Sequence, residues 1–236
     1  MACYDIVGDR TFWTVGAAER VSAFVRAVYG WMAGGLVLTA ATAAVIASSP
    51  AFVNAIATNP LLFWGFAIAQ LGIVAVLSAR VDRLAASTAA ALFVVYSVLT
   101  GMTLSFLLLA YTGESVATTF LVTAGMFGGV AAYGATTRRS LAGAGSFLFM
   151  GLIGVVLASV VGIFWHSDAF QFLISLLGVV VFAGLAAYDA QRLGAMADAV
   201  PPGRVGADAI SGALALYLDF VNLFLSLVRL SGRRRD

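Results

Sequence analysis

Residues 216–224 read Leu216-Tyr217-Leu218-Asp219-Phe220-Val221-Asn222-Leu223-Phe224, one carboxylate inside an apolar run that extends over 209–230. An ionised aspartate at the centre of a membrane helix costs about 2.5–3.5 kcal/mol on insertion scales. Such a group faces a bundle interior, a polar cavity or an ion path rather than lipid. The run therefore predicts a helix whose Asp219 side is hidden among other helices, with Asn222 one turn further on. The run before it, 170–193, ends in Ala186-Ala187-Tyr188-Asp189-Ala190-Gln191, with a second carboxylate at the mouth of an apolar helix. Two aspartates near one end of two consecutive helices predict a pair.

The rest of the chain has the composition such helices need. Of its 236 residues, 62% are hydrophobic and 10% charged, against about 25% charged in a soluble domain. This is the balance of a polytopic membrane protein. The net charge is only +2, and the arginines sit at segment ends rather than in a basic stripe, so nucleic acid is excluded as a partner. Cys3 is the only cysteine and His166 the only histidine, which leaves no intramolecular disulfide and no Cys/His metal site. His166, next to Trp165, is expected to be an interfacial residue. No cofactor is expected.

A bilayer core of about 30 Å takes on the order of 20 apolar residues per helix. Runs of that length predict seven spans at 25–47, 61–79, 85–110, 116–135, 141–165, 170–188 and 209–230. Residues 1–24 are expected as a cytoplasmic N-terminal segment without the pattern of a signal peptide, 25–230 as one transmembrane domain, and 231–236 as a short Arg-rich tail. The connectors, among them Ser48-Ser49-Pro50, Asn59-Pro60 and Pro201-Pro202-Gly203, are too short for a soluble domain.

Arg10, Arg20 and Arg26 precede the first span, Arg80 and Arg83 follow the second, Arg138 and Arg139 the fourth, and Arg192 and Arg204 the sixth. By the positive-inside rule the N-terminus is cytoplasmic. Seven full spans then translocate Arg233-Arg234-Arg235, whereas a re-entrant last segment returns them. The length of 209–230, about 33 Å as a helix, favours seven spans. Small residues at four-residue spacing (Gly30 and Gly34, Gly125 and Gly129, Gly154, Ala158 and Gly162) predict faces where helix backbones approach closely.

Within the membrane, Gln70 and Asn222 are expected as interhelical or pore-lining polar groups. An acid in low dielectric must be protonated, paired or hydrated, and two adjacent acids titrate as a unit. Arg80 offers the pair an alternative partner, and a carboxyl with two possible partners has the two arrangements a gate needs. Intramembrane aspartyl proteases also use two aspartates. Their second motif, Gly-x-Gly-Asp, is absent, since Leu216-Tyr217-Leu218 precedes Asp219. No enzymatic role is expected.

The strings Phe182-x-Gly184-Leu185-x-Ala187-Tyr188-Asp189-x-Gln191 and Ala213-Leu214-x-Leu216-Tyr217-Leu218-Asp219-Phe220-x-Asn222-Leu223-Phe224 resemble the signature of the Bax inhibitor family in its bacterial branch. Leu77-Ser78-x-Arg80-Val81-Asp82 and Gly145-Ser146-Phe147-Leu148-Phe149-Met150-Gly151 are similar too. The resemblance implies an all-α fold whose last helix is central and wrapped by two three-helix layers. It implies a pH-sensitive calcium leak of a bacterial inner membrane, in which Asp189 and Asp219 match the proton-sensing carboxyls and Arg80 the latch arginine. Where many bacterial relatives carry a glutamate, this chain has Gln70. The resemblance also allows a non-conducting modulator that restrains a membrane protease or a stress-response complex. Calcium takes six to eight oxygen ligands, so two carboxylates suit transient attraction of a transported ion rather than tight binding.

Overall fold

The computed structural model describes residues 6–80, 83–165, 167–197, 205–233 and 235. Cys3, Asp82, His166, residues 201–204 and Arg234 lie outside the described residues, as do the side chains of Arg10 and Arg20. The described chain forms helices α1 (Ile6–Ala47), α2 (Pro50–Thr58), α3 (Pro60–Arg80), α4 (Ala86–Ala110), α5 (Gly113–Thr136), α6 (Ala142–Phe164), α7 (Asp168–Ala197) and α8 (Val205–Ser231).

The breaks follow local chemistry. Pro50 lacks the N–H that would continue α1, and it opens α2 after an extended Ser49. Pro60 opens α3 in the same way, with the Asn59 side chain accepting the Leu61 N–H at 3.1 Å. Thr112 caps α5 by accepting from the Ser115 N–H at 3.3 Å. Two expectations shift here. The expected connector between residues 48 and 60 contains the short helix α2, and the expected boundary at residue 25 is no break, because α1 is a single helix of 42 residues.

Among the described residues, six helices are long and apolar enough to cross a bilayer: the part of α1 from Val21 to Ala47, and α4 to α8. The second expected span corresponds to α3, which carries a shorter apolar stretch, Trp64–Arg80. Of the apolar window of α8, 61% is buried inside the protein, against 6% for α6. The last helix is thus the core, and α6 is an outer wall.

Around α8 the other spans form two groups. In one, α4 packs on α1 and α3; in the other, α7 packs on α5 and α6. α1 also touches α7, and α8 contacts α1, α3 and α4 on one side and α5 and α7 on the other. Aromatic edges fill both seams. Phe93 and Tyr96 of α4 meet Tyr217, while Phe120 and Phe127 of α5 meet Phe220. This is the last helix wrapped by two three-helix layers.

α8 runs the length of the bundle. Its 27 residues reach about 40 Å. Gly206 at its start abuts Ala86 at the start of α4. At its other end, the Thr112 N–H donates to the Arg233 carbonyl and the Arg235 N–H to the Ala110 carbonyl, both at 3.0 Å. The Arg233 N–H donates to Ser115 Oγ, also at 3.0 Å. The tail is folded over the α4–α5 connection.

The glycines that matter for packing are not the ones the spacing picked out. A Cβ on Gly30, Gly34, Gly125, Gly129 or Gly154 would meet no atom within 4 Å; of that set only Gly162 lies against a neighbour, Gln171. Four-residue spacing puts small residues on one face but does not say that a helix lies against it. Gly134 is where backbones do touch, because a Cβ there would run into the Ala187 carbonyl of α7. Overpacking at such a contact costs about 1–3 kcal/mol. Gly134→Ala is therefore expected to lower the thermal midpoint of the protein in lipid nanodiscs by several degrees, while Gly129→Ala leaves it nearly unchanged.

Candidate functional site

α7 and α8 lie side by side, and their packed faces bring Asp189 and Asp219 together. Asp219 sits about 20 Å along α8 from Val205, and only 5% of its surface is exposed. Asp189, near the end of α7, is half-buried. Their carboxyl groups face each other closely enough to interact directly. Two ionised carboxylates have only acceptors to offer, so a hydrogen bond between them requires that the pair hold a proton. The Oδ2 atom of Asp219 is buried with no hydrogen-bond partner among the described residues.

Two cavities meet at this pair. A larger one of about 600 Å³ opens between α6, α7 and α8, lined by Ser146, Phe149, Tyr188, Asp189, Asp219 and Asn222 among others. A smaller one of about 200 Å³ lies between α3, α7 and α8 and includes Ser78, Asp189, Met196 and Ser211. Asp189, Arg192, Ala215 and Leu218 line both and form the wall between them. Asp219 lines only the larger.

The cation beside Asp189 is Arg192, one turn along α7, whose charge acts directly on the carboxyl. Arg80, expected as the latch, is exposed at the last turn of α3 and lines neither cavity. Ser78, from the same turn, does reach the smaller one. The Arg192 signal was present in Asp189-Ala190-Gln191-Arg192, because residues three apart share a helix face; its place after the sixth span suggested only topology.

The expected amides separate into two roles. Asn222 belongs to the site: it lines the larger cavity one turn from Asp219, with its Nδ2 donating to the Leu218 carbonyl at 2.8 Å. Gln70 lies elsewhere. Its Nε2 donates to Thr103 Oγ1 at 2.9 Å and toward the Leu99 carbonyl at 3.4 Å, tying α3 to α4. Among the described residues, no group of three or more His, Cys, Asp or Glu side chains is placed to hold a metal ion.

Two neighbours of Asp189 in its own motif set its surroundings. Gln191 accepts the Leu141 N–H at 2.8 Å and donates to the Arg139 carbonyl at 2.9 Å, clamping the α5–α6 connection to α7. The ring of Tyr188 lies over Gly145 of α6, where a Cβ would collide with it. Gln191→Ala leaves the part-buried Leu141 N–H without its partner, at a cost of about 1–3 kcal/mol. It is expected to lower thermal stability accordingly and to raise protease cleavage between α5 and α6, read by limited proteolysis.

Residues 21–236 match the family model described as Inhibitor of apoptosis-promoting Bax1. The chain is 48% identical over 215 residues to the Inner membrane protein YbhL of Escherichia coli K12, covering 90% of this chain and 92% of that one. It is 41% identical over 218 residues to an uncharacterized protein of Borreliella burgdorferi, covering 90% and 93% of the two chains. A third relative, from Caulobacter vibrioides, is 39% identical over 246 residues, covering 98% and 96%.

Proposed function

We propose that this protein, which belongs to the Bax inhibitor family, is a pH-sensitive leak for calcium or a similar cation in a bacterial inner membrane, with its N-terminus cytoplasmic. The observation that carries this reading is the buried Asp219, set against Asp189 and lining a cavity, whose Oδ2 is buried with no hydrogen-bond partner among the described residues. Structural acids in a membrane core are neutralised and bonded; this one keeps a buried oxygen free to take a proton or a cation.

The chemistry supplies two arrangements. With a shared proton the carboxyls hold together and α7 is tied to α8 at the wall between the cavities. Without it, two adjacent carboxylates repel, and Asp189 is drawn to the Arg192 guanidinium one turn away. That exchange of partners gives the wall two states, and the proton chooses between them. Calcium enters as cargo: Asp189, Asp219 and Asn222 offer too few oxygens for a tight site, which suits passage rather than storage. The proposed role is transport, not enzymatic turnover.

Purified protein in proteoliposomes loaded with a calcium-sensitive dye is expected to pass calcium at a rate that changes across about pH 5 to 8, where perturbed carboxyls titrate. In Asp189→Asn and Asp219→Asn that dependence flattens to less than about twofold, because an asparagine can neither gain nor lose the proton. Arg192→Gln is expected to displace the pH midpoint more than Arg80→Gln. Flux no greater than that of protein-free vesicles at every pH overturns the leak, and an unchanged profile in both asparagine variants overturns the sensor.

A further inference from the structure

Among the described residues Tyr217 is the largest side chain with no exposed surface, and its hydroxyl lies in the core. It is two residues from Asp219, so it leaves α8 on nearly the opposite side, toward α1 and α4. There it meets Thr39 of α1. Thr39 Oγ1 donates to the Ser97 carbonyl of α4 at 2.9 Å, which uses the only proton it has. The 2.6 Å bond between Thr39 Oγ1 and Tyr217 Oη is therefore donated by the tyrosine. Ser97 and Thr100 direct their own protons to the Phe93 and Tyr96 carbonyls one turn back, at 2.9 Å each. The result is one directed chain of hydrogen bonds running from α8 to α1 to α4. The Phe93 and Tyr96 rings hold the Tyr217 ring edge-on, with centroids 5.6 and 5.7 Å away.

On its other side α8 meets α7 through steric contacts, Gly178 against Ser226 and Gly212 against Leu193, and through the acid pair. Steric contacts of this kind tolerate small rotations; a buried hydroxyl bond does not, because no water is at hand to replace the lost partner. A turn of α8 that carries Asp219 away from Asp189 also carries Oη away from Thr39, since both side chains ride on one rigid helix. We infer that the Tyr217–Thr39 hydrogen bond is the pin that sets the rotation and depth of α8 and so holds Asp219 opposite Asp189, which makes Tyr217 and Thr39 positioning residues of the acid pair. This deepens the proposal that the pair is the functional site and rests on it for its significance. The polar and charged groups around the carboxyls are Arg192 and Tyr188 on α7, Asn222 on α8, Ser146 on α6 and Ser78 on α3. None belongs to the pin, so the pin acts on the carboxyls only through the placement of α8.

The test reads geometry directly. In a full-length chain carrying Cys3→Ser, Asp189→Cys and Asp219→Cys in lipid nanodiscs, the initial rate of oxidant-driven disulfide formation reports how well α8 presents position 219 to position 189. Adding Tyr217→Phe or Thr39→Val is expected to slow it about fivefold or more, the factor that matches one lost hydrogen bond. The double variant is expected to be no slower than either single one, because both remove the same bond. A control pair between α6 and α7, Gly151→Cys with Val181→Cys, where a Cβ added at 151 would lie 3.0 Å from Val181 Cγ2, keeps its rate. An unchanged rate at 189–219 in both single variants overturns the pin, as does an equal slowing of the control pair, which indicates general loosening. If Tyr217→Phe does not accumulate as folded protein, Thr39→Val reads the same bond. Cross-linking involves no flux, so a wild-type chain that conducts nothing defeats the leak without touching this result.

Discussion

A carboxyl group with 5% of its surface exposed, in the middle of a membrane helix, is the constraint on which the rest of the structure depends. Lipid offers no hydrogen bond, so Asp219 can be carried across the bilayer only inside a protein shell. That requirement makes α8 the central helix. Its other buried positions, including Ile210, Leu214, Leu216, Leu223 and Val228, then pack against neighbours on every side. α6 has the opposite character: only Gly145 and Gly162 are buried along its length, and both mark places where a neighbouring side chain must fit.

The two layers of helices treat α8 differently. Toward α1 and α4 it presents a hydroxyl and a ring, and both are fully satisfied. Toward α7 it presents an acid whose buried Oδ2 has no hydrogen-bond partner among the described residues, beside a second acid, a guanidinium and two cavities. Fixed bonding on one side and exchangeable bonding on the other is the arrangement that lets a proton be read as a change in helix contact. Removing the exchangeable side would make a stable bundle with nothing to respond to; removing the fixed side would leave the acids without a defined separation.

Similarity to bacterial relatives extends over nine-tenths of the chain, and the motif around Asp189 shows why neighbouring residues serve different ends. Tyr188 packs over Gly145, Asp189 meets Asp219, and Gln191 clamps the α5–α6 connection. Three consecutive purposes fit in four residues because successive side chains on a helix point about 100° apart.

Some of this was decided by the sequence alone. Apolar runs of membrane length set the all-helical class, and a lone carboxylate in the last run marked that helix as the central one, because the cost of burying charge is local and can be read residue by residue. The partnership of Asp189 with Asp219 was legible for the same reason. Other features were decided only by tertiary structure. Arg192 rather than Arg80 stands beside Asp189, Gly134 rather than Gly129 marks a close helix crossing, and Tyr217 finds Thr39 across a separation of 178 residues. Spacing along a helix tells which residues share a face, but which face meets which neighbour depends on how all the helices pack at once, and that information is carried by no single stretch of the chain.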